Sequence, residues 1–285
     1  MLSKIKDKIE IIGFYILKTL VMVVPLYFRY RFAEIAGILT YILVKKRREI
    51  TLKNIRLAFP EKSETEIKKI AINSFKNITK SFFEVLWGNR VKIEIEGKEI
   101  IENYVKNNQG VIIVSMHLGN WEMVGLCLGK LTGKFYPIAK RQRNREFDTI
   151  LNNERKKYGV HTIIKGAPDA PKQIMKSMKD GGMLGLICDQ FGKDVEVNFF
   201  GRKTTSVSGP STIYARFDAP VILAYNIRIK DNIEKVFIEE SITMKKGNKK
   251  EFVQENMQII YNRFEEIVRK YPEQWFWQHK RWRDL

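Results

Sequence analysis

The sequence predicts an α/β fold: a mixed, mainly parallel sheet flanked by helices, with a hydrophobic helix at the N-terminus. Three features of the 285 residues carry this. VIIVSM at 111–116 follows Gly110 as an unbroken apolar run, the pattern of a strand buried on both faces. VKIEIE at 91–96 alternates with period two, as a half-covered strand does. Strand candidates at 134–139, 160–164, 183–188 and 220–229 are interleaved with helical segments at 145–157, 170–179, 209–217 and 251–270, and such alternation favours parallel pairing.

Residues 9–28, IEIIGFYILKTLVMVVPLYF, contain only Glu10 and Lys18 as charges. A helix of ~20 residues reaches ~30 Å, the thickness of a bilayer core. No small-x-small cleavage site follows, which argues against a removed signal peptide. Lys18 near the middle and Pro25 near the end make the segment a marginal span; it can also lie in the interface or dock onto the domain. Basic residues flank it on both sides, so it leaves orientation open. The chain divides into a membrane-anchoring segment, 1–31, and an α/β domain, 32–285. Within the latter, 32–44 reads as a second apolar helix ending in the basic cluster Lys45–Arg48, and 64–88 as helical hairpins packed on a core.

Lys and Arg number 51 against 32 acidic residues, a net charge of +19. Such a field attracts polyanions of any kind: nucleic acid, anionic head groups or an acidic carrier protein. Cys127 and Cys188 sit in apolar stretches without CxxC spacing, which fits buried thiols in a reducing compartment.

Chemistry concentrates at Ser115-Met116-His117-Leu118-Gly119-Asn120-Trp121-Glu122, just past the buried strand. Active groups of α/β sheets collect at the carboxyl ends of strands. A carboxylate at Glu122 can hold one imidazole nitrogen of His117 while the other accepts a proton. Gly119 permits close backbone approach, and N–H groups at the helix start can stabilise an oxyanion. No Ser or Cys nucleophile adjoins the His, so direct attack by a substrate hydroxyl is the simpler chemistry. No His-Glu-x-x-His is present and His161 and His279 are far off in sequence, so no metal is expected.

With HLGNWE at 117–122, the chain resembles the lysophospholipid-acyltransferase superfamily and, within it, the late lipid A acyltransferases. The resemblance continues through IAKRQRNREFD at 138–148, DQ at 189–190, FFGR at 199–202, SGP at 208–210, AP at 219–220 and PEQWFWQHKRW at 272–282. It implies transfer of a fatty-acyl chain from an acyl carrier protein thioester to a hydroxyl of a lipid A precursor. His117 is then the general base and Glu122 its partner. Substrate-binding roles fall on Lys140, Arg141, Asp189, Arg202 and Asn120. Relatives carry Arg where Lys140 stands, so Lys140 and Arg141 share that assignment; Lys is a point charge where Arg offers a fork. Asp189 ends the apolar run GGMLGLICDQ, where ordering the basic loop or capping a helix both fit. The terminal aromatics Trp275, Phe276, Trp277 and Trp282 suit either a membrane interface or the core.

No metal or redox cofactor is required by that scheme. The expected partners are the carrier-protein donor, a lipid acceptor and a membrane, at the cytoplasmic face of an inner membrane. Another glycolipid, of the phosphatidylinositol mannoside type, or a lysophospholipid is the alternative acceptor. Nucleic acid is disfavoured: the basic residues are scattered and no recognition motif is present.

Overall fold

A computed structural model describes residues 2–87, 91–247 and 249–283; Met1 and residues 284–285 of the two expected segments lie outside the described residues. Four helices lead the chain: α1 (Leu2–Val23), α2 (Leu26–Leu43), α3 (Lys45–Ala58) and α4 (Glu64–Trp87). The expected 9–28 helix is therefore two. Pro25 lacks an N–H and restricts the residue before it, so the ladder stops at Val23. It restarts with Phe28 and Arg29 donating to the Pro25 carbonyl. Of segment 64–88, expected as hairpins, residues 64–87 form one helix of 24 residues, and Gly88 lies outside the described residues. Ser63 Oγ and Glu66 close its first turn reciprocally. Among the described residues no helix is long and apolar enough to cross a membrane.

The two leading helices nevertheless keep a wide apolar face uncovered. Ile9, Ile12, Ile16, Leu20 and Val23 recur at helical spacing along α1, and Phe28, Phe32, Ile35, Leu39 and Ile42 along α2, each about half exposed or more. Their other faces are anchored: Phe14 packs edge-on against Phe147, and Gly37 lets α2 approach the backbone of Lys76 on α4.

The remainder runs β1 (Lys92–Glu96), α5 (Lys98–Lys106), β2 (Val111–Ser115), α6 (Glu122–Thr132), β3 (Phe135–Ala139), α7 (Arg145–Lys156), β4 (Ile163–Ile164), α8 (Ala170–Lys179) and β5 (Met183–Ile187). There follow β6 (Val195–Phe199), β7 (Arg202–Ser206), α9 (Gly209–Phe217), β8 (Val221–Lys230), β9 (Ile233–Ser241) and α10 (Lys250–Lys270). Seven strands form one sheet in the order β1-β9-β8-β2-β5-β3-β4. All of its pairs are parallel except β8 with β9. The expected architecture, a mostly parallel mixed sheet with flanking helices, is thus observed.

Strand β2 sits at the centre with every residue buried. Its side chains alternate between faces: Val111 and Ile113 join α5 and α6 in one core, Ile112 and Val114 join α9 and α10 in the other. Each such aliphatic side chain contributes about 1.5–3 kcal/mol on burial. FFGR at 199–202 is the tight turn of the β6–β7 hairpin, with Phe200 and Gly201 at φ 55° and 67°.

Candidate active site

The parallel register of β2 and β5 builds the centre. Ser115 pairs with Ile187, so the residues two positions beyond each strand end, His117 and Asp189, meet across the sheet edge. His117 Nδ1 lies 2.7 Å from Asp189 Oδ1, and the backbone N–H of His117 donates to Oδ2 at 2.9 Å. Trp275 Nε1–H donates to the same Oδ2 at 2.7 Å. Burial pushes the Asp189 carboxyl pKa up, but the attraction of the His117 ring and these hydrogen bonds outweigh it and hold the pKa below the usual carboxylate range. With Nδ1–H committed to Asp189, Nε2 is the accepting nitrogen, and the Gln190 amide nitrogen stands 3.4 Å from it.

His117 opens onto a cavity of about 470 Å³ whose walls are mixed. Its lining is apolar at Ile113, Val124, Phe135, Ile187 and Val207 and polar at Glu122, Arg155, Lys140, Lys165 and Gln190. The ring of Trp121 stands edge-on to His117 at 4.8 Å. The C-terminal segment closes the loop from behind: Phe276 N–H donates to the His117 carbonyl, Leu118 bridges Trp275, and Gly119 N–H donates to Gln274.

Glu122 lies in the cavity but not on the imidazole. Arg155, from the end of α7, reaches both of its oxygens at 2.9 Å. The orienting carboxylate is therefore Asp189, for which the sequence suggests an acceptor-side or capping role. The difference is physical: Glu122 is the first residue of α6, while His117 is still on the β2 exit, facing β5.

Asn120 and Arg202, expected at the substrate, do not line this cavity. Asn120 is 1% exposed, its side-chain amide donating to Glu84 Oε2 at 2.7 Å and its N–H to Asn226 Oδ1 at 2.8 Å. Glu84 belongs to a buried cluster in which Arg228 pairs with both Glu84 and Glu234, and Tyr30 donates to Glu84. The cluster fixes the motif loop from below, and Gly119, at φ 55°, is needed there: a Cβ would meet Asn226 O at 2.5 Å. Arg202 donates to the Leu57 carbonyl and ties the β6–β7 hairpin to α3. Lys140 lines the cavity and Arg141, though adjacent and exposed, does not. The loop that carries them is held by Glu10 of α1, which takes Arg143 at 2.5 Å and the Asn144 amide at 3.3 Å.

The backbone N–H groups of 117–120, expected at an oxyanion, are all committed: to Asp189, the Met116 carbonyl, Gln274 and Asn226. Trp275, Trp277 and Trp282 are buried in the core, which settles the alternative the sequence left open for them. Among the described residues no group of three or more His, Cys, Asp or Glu side chains could hold a metal. Arg155 and Lys165 escaped the sequence reading.

Residues 7–284 match the family described as bacterial lipid A biosynthesis acyltransferase. A lipid A biosynthesis acyltransferase 2 of Shigella flexneri is 29% identical over 144 residues, 48% of this chain and 45% of the relative. A lipid A biosynthesis palmitoleoyltransferase of Escherichia coli (strain K12) is 20% identical over 259 residues, 87% of this chain and 82% of the relative. A phosphatidylinositol mannoside acyltransferase of Mycobacterium tuberculosis (strain ATCC 25618 / H37Rv) is 23% identical over 132 residues, 45% of this chain and 42% of the relative. The chain thus spans under half the length of the first and third of these relatives in the matched segments, and most of the second. The chain belongs to the bacterial lipid A biosynthesis acyltransferase family, a family of acyltransferases.

Proposed function

We propose that this family member moves a fatty-acyl chain from an acyl carrier protein thioester to a hydroxyl of a lipid A precursor at a membrane surface. The observation that carries the reading is the His117–Asp189 pair opening onto a cavity lined by both apolar and basic side chains. Nε2 of His117 takes the proton of the acceptor hydroxyl as its oxygen attacks the thioester carbonyl; Asp189 holds Nδ1–H and stabilises the imidazolium that forms. The thiolate leaves and collects the proton from Nε2, which returns the ring to its starting state. Gln190, whose amide nitrogen stands beside Nε2, is the neutral donor assigned to the oxyanion on this reading. The apolar wall takes the acyl chain, and Lys140 takes the polar head of the acceptor.

The +19 charge suits an acidic carrier protein and an anionic bilayer, and the uncovered stripes of α1 and α2 suit insertion into the interface rather than a crossing. On this reading the protein works at the cytoplasmic face of an inner membrane. A second acceptor class, a mannosylated phosphoinositide, is favoured only by the mycobacterial relative.

The test is a mass-spectrometric transfer assay with acyl carrier protein loaded with several chain lengths. Its acceptors are a tetra-acylated lipid A precursor, a lysophospholipid and a mannosylated phosphoinositide. One added acyl group on the precursor alone supports the reading. Gain only on another acceptor, or on none with folded protein, rejects it.

A further inference from the structure

We propose that Lys140 and Lys165 form a two-point clamp for a phosphate group of a reacting substrate, an inference that rests on the acyl-transfer reading above. Strands β3 and β4 are parallel neighbours in register, Ile138 with Ile163 and Ala139 with Ile164. Paired parallel strands run about 4.8 Å apart. Lys140 and Lys165 are the next residue of each, so the two lysines leave adjacent strands side by side at the carboxyl edge. Lys165 N–H donates to the Ala139 carbonyl at 2.8 Å, which extends the ladder one step and locks that juxtaposition.

The turn that presents Lys165 is built for its place. Ala167 N–H donates to the Ile164 carbonyl at 3.1 Å, and Gly166 sits at φ 80°. A positive φ at the third position of such a turn calls for glycine and puts Lys165 at the corner. On the Lys140 side, Asp148 Oδ1 accepts from the Gln142 N–H at 3.1 Å and folds the following loop back onto α7.

Both lysines line the cavity that His117 faces, and neither enters an ion pair among the described residues. The carboxylates in the same wall have other engagements, Glu122 with Arg155 and Asp148 with the loop backbone. Thr162 Oγ1, also in this wall, is buried without a partner. Two lysines that leave adjacent strands side by side and line one cavity favour an anion that presents several oxygens at once, and a phosphate monoester carries about −1.5 to −2 charges at neutral pH. Such a monoester sits on the lipid acceptor, while the pantetheine arm of a carrier-protein donor carries a singly charged phosphodiester; the clamp recognises the phosphate oxygens that the two share.

The experiment compares wild type with Lys165→Met and Lys165→Arg on matched substrate pairs. One pair is a phosphorylated lipid A precursor and its dephosphorylated form; the other is an acyl-phosphopantetheine thioester and the acyl-pantetheine thioester. Lys165 is exposed, so folding is not at stake. The wild-type preference in kcat/KM for the phosphorylated member of one pair should shrink about tenfold in Lys165→Met, through KM, and survive in Lys165→Arg. The pair that responds names the source. Unchanged preferences in both pairs overturn the clamp.

A second measurement does not depend on the reaction. Inorganic pyrophosphate should protect Lys140 and Lys165 together from an amine-acylating reagent, read by mass spectrometry with exposed Lys172 as the unprotected reference. If wild type acylates none of the acceptors, the reading of function fails and protection alone decides: joint protection supports the clamp, and labelling equal to that of Lys172 overturns it.

Discussion

Asp189 engages His117 through both carboxylate oxygens, Oδ1 on the ring Nδ1 at 2.7 Å and Oδ2 on the backbone N–H at 2.9 Å. One carboxylate thus sets the position of the residue and the rotation of its ring. Trp275 holds that carboxylate in turn.

Replacing Asp189 by Asn should lower kcat on the order of 10²–10⁴-fold with little change in KM for either substrate, because the amide cannot support the imidazolium. His117→Ala should be at least as damaging. Single-turnover acyl transfer followed by mass spectrometry, with circular dichroism to confirm folding, checks both. An Asp189→Asn protein with kcat within about threefold of wild type, well short of the loss a general base's partner implies, would remove Asp189 from the mechanism.

Glu122 and Arg155 should behave as a unit. Glu122→Gln and Arg155→Met should each reduce kcat/KM, and the double variant should be no more than about twofold worse than the poorer single, since each loss already breaks the pair. A double-mutant cycle in kcat/KM reads this directly. Additive losses would mean that the two carboxylate contacts of Arg155 are incidental to turnover.

Stability should carry the mark of Glu234. Burial, opposed by Arg228 and reinforced by Glu84, pushes its carboxyl up to about 8 from 4.5. Between those values the folded chain holds a proton that the unfolded chain has lost. The group's contribution is therefore full below pH 4.5 and fades as pH rises to 8. Glu234→Gln should then gain on wild type as pH rises from about 5 to about 8, read from urea midpoints. Arg228→Met, which strands buried carboxylates, should cost about 3–5 kcal/mol.

The apolar stripes should bind lipid. Leu20→Lys together with Phe32→Lys should reduce cosedimentation with vesicles of anionic phospholipid severalfold. Both residues are more than half exposed, so the melting temperature should shift by no more than about 2 °C. Unaltered vesicle binding would assign those stripes to some other contact.

Much of the sheet was legible because it is written locally. The unbroken run at 111–116 and the matching run at 183–188 became β2 and β5, and the helices at 170–179 and 209–217 have the bounds their periodicity implies. Strand β9 was missed although IEKVFIEES alternates, since its charges mask a face that is buried only once α5 and α6 pack over it. In the site, the His117 motif could be read because six consecutive residues spell it. The partnership with Asp189 could not, for it spans 72 positions and depends on strand register. Lys165 did have a local signal: Ile-Ile-Lys ends β4 as Ile-Ala-Lys ends β3.

The C-terminal segment that backs the motif also dates the enzyme's competence. The imidazole is encoded at 117, but Gln274, Trp275 and Phe276 complete its support. Chains leave the ribosome N-terminus first. The apolar stripes of α1 and α2 thus emerge well before Trp275, which joins His117 in holding the Asp189 carboxylate. The support of the imidazole is therefore complete only once the chain has been made as far as Phe276.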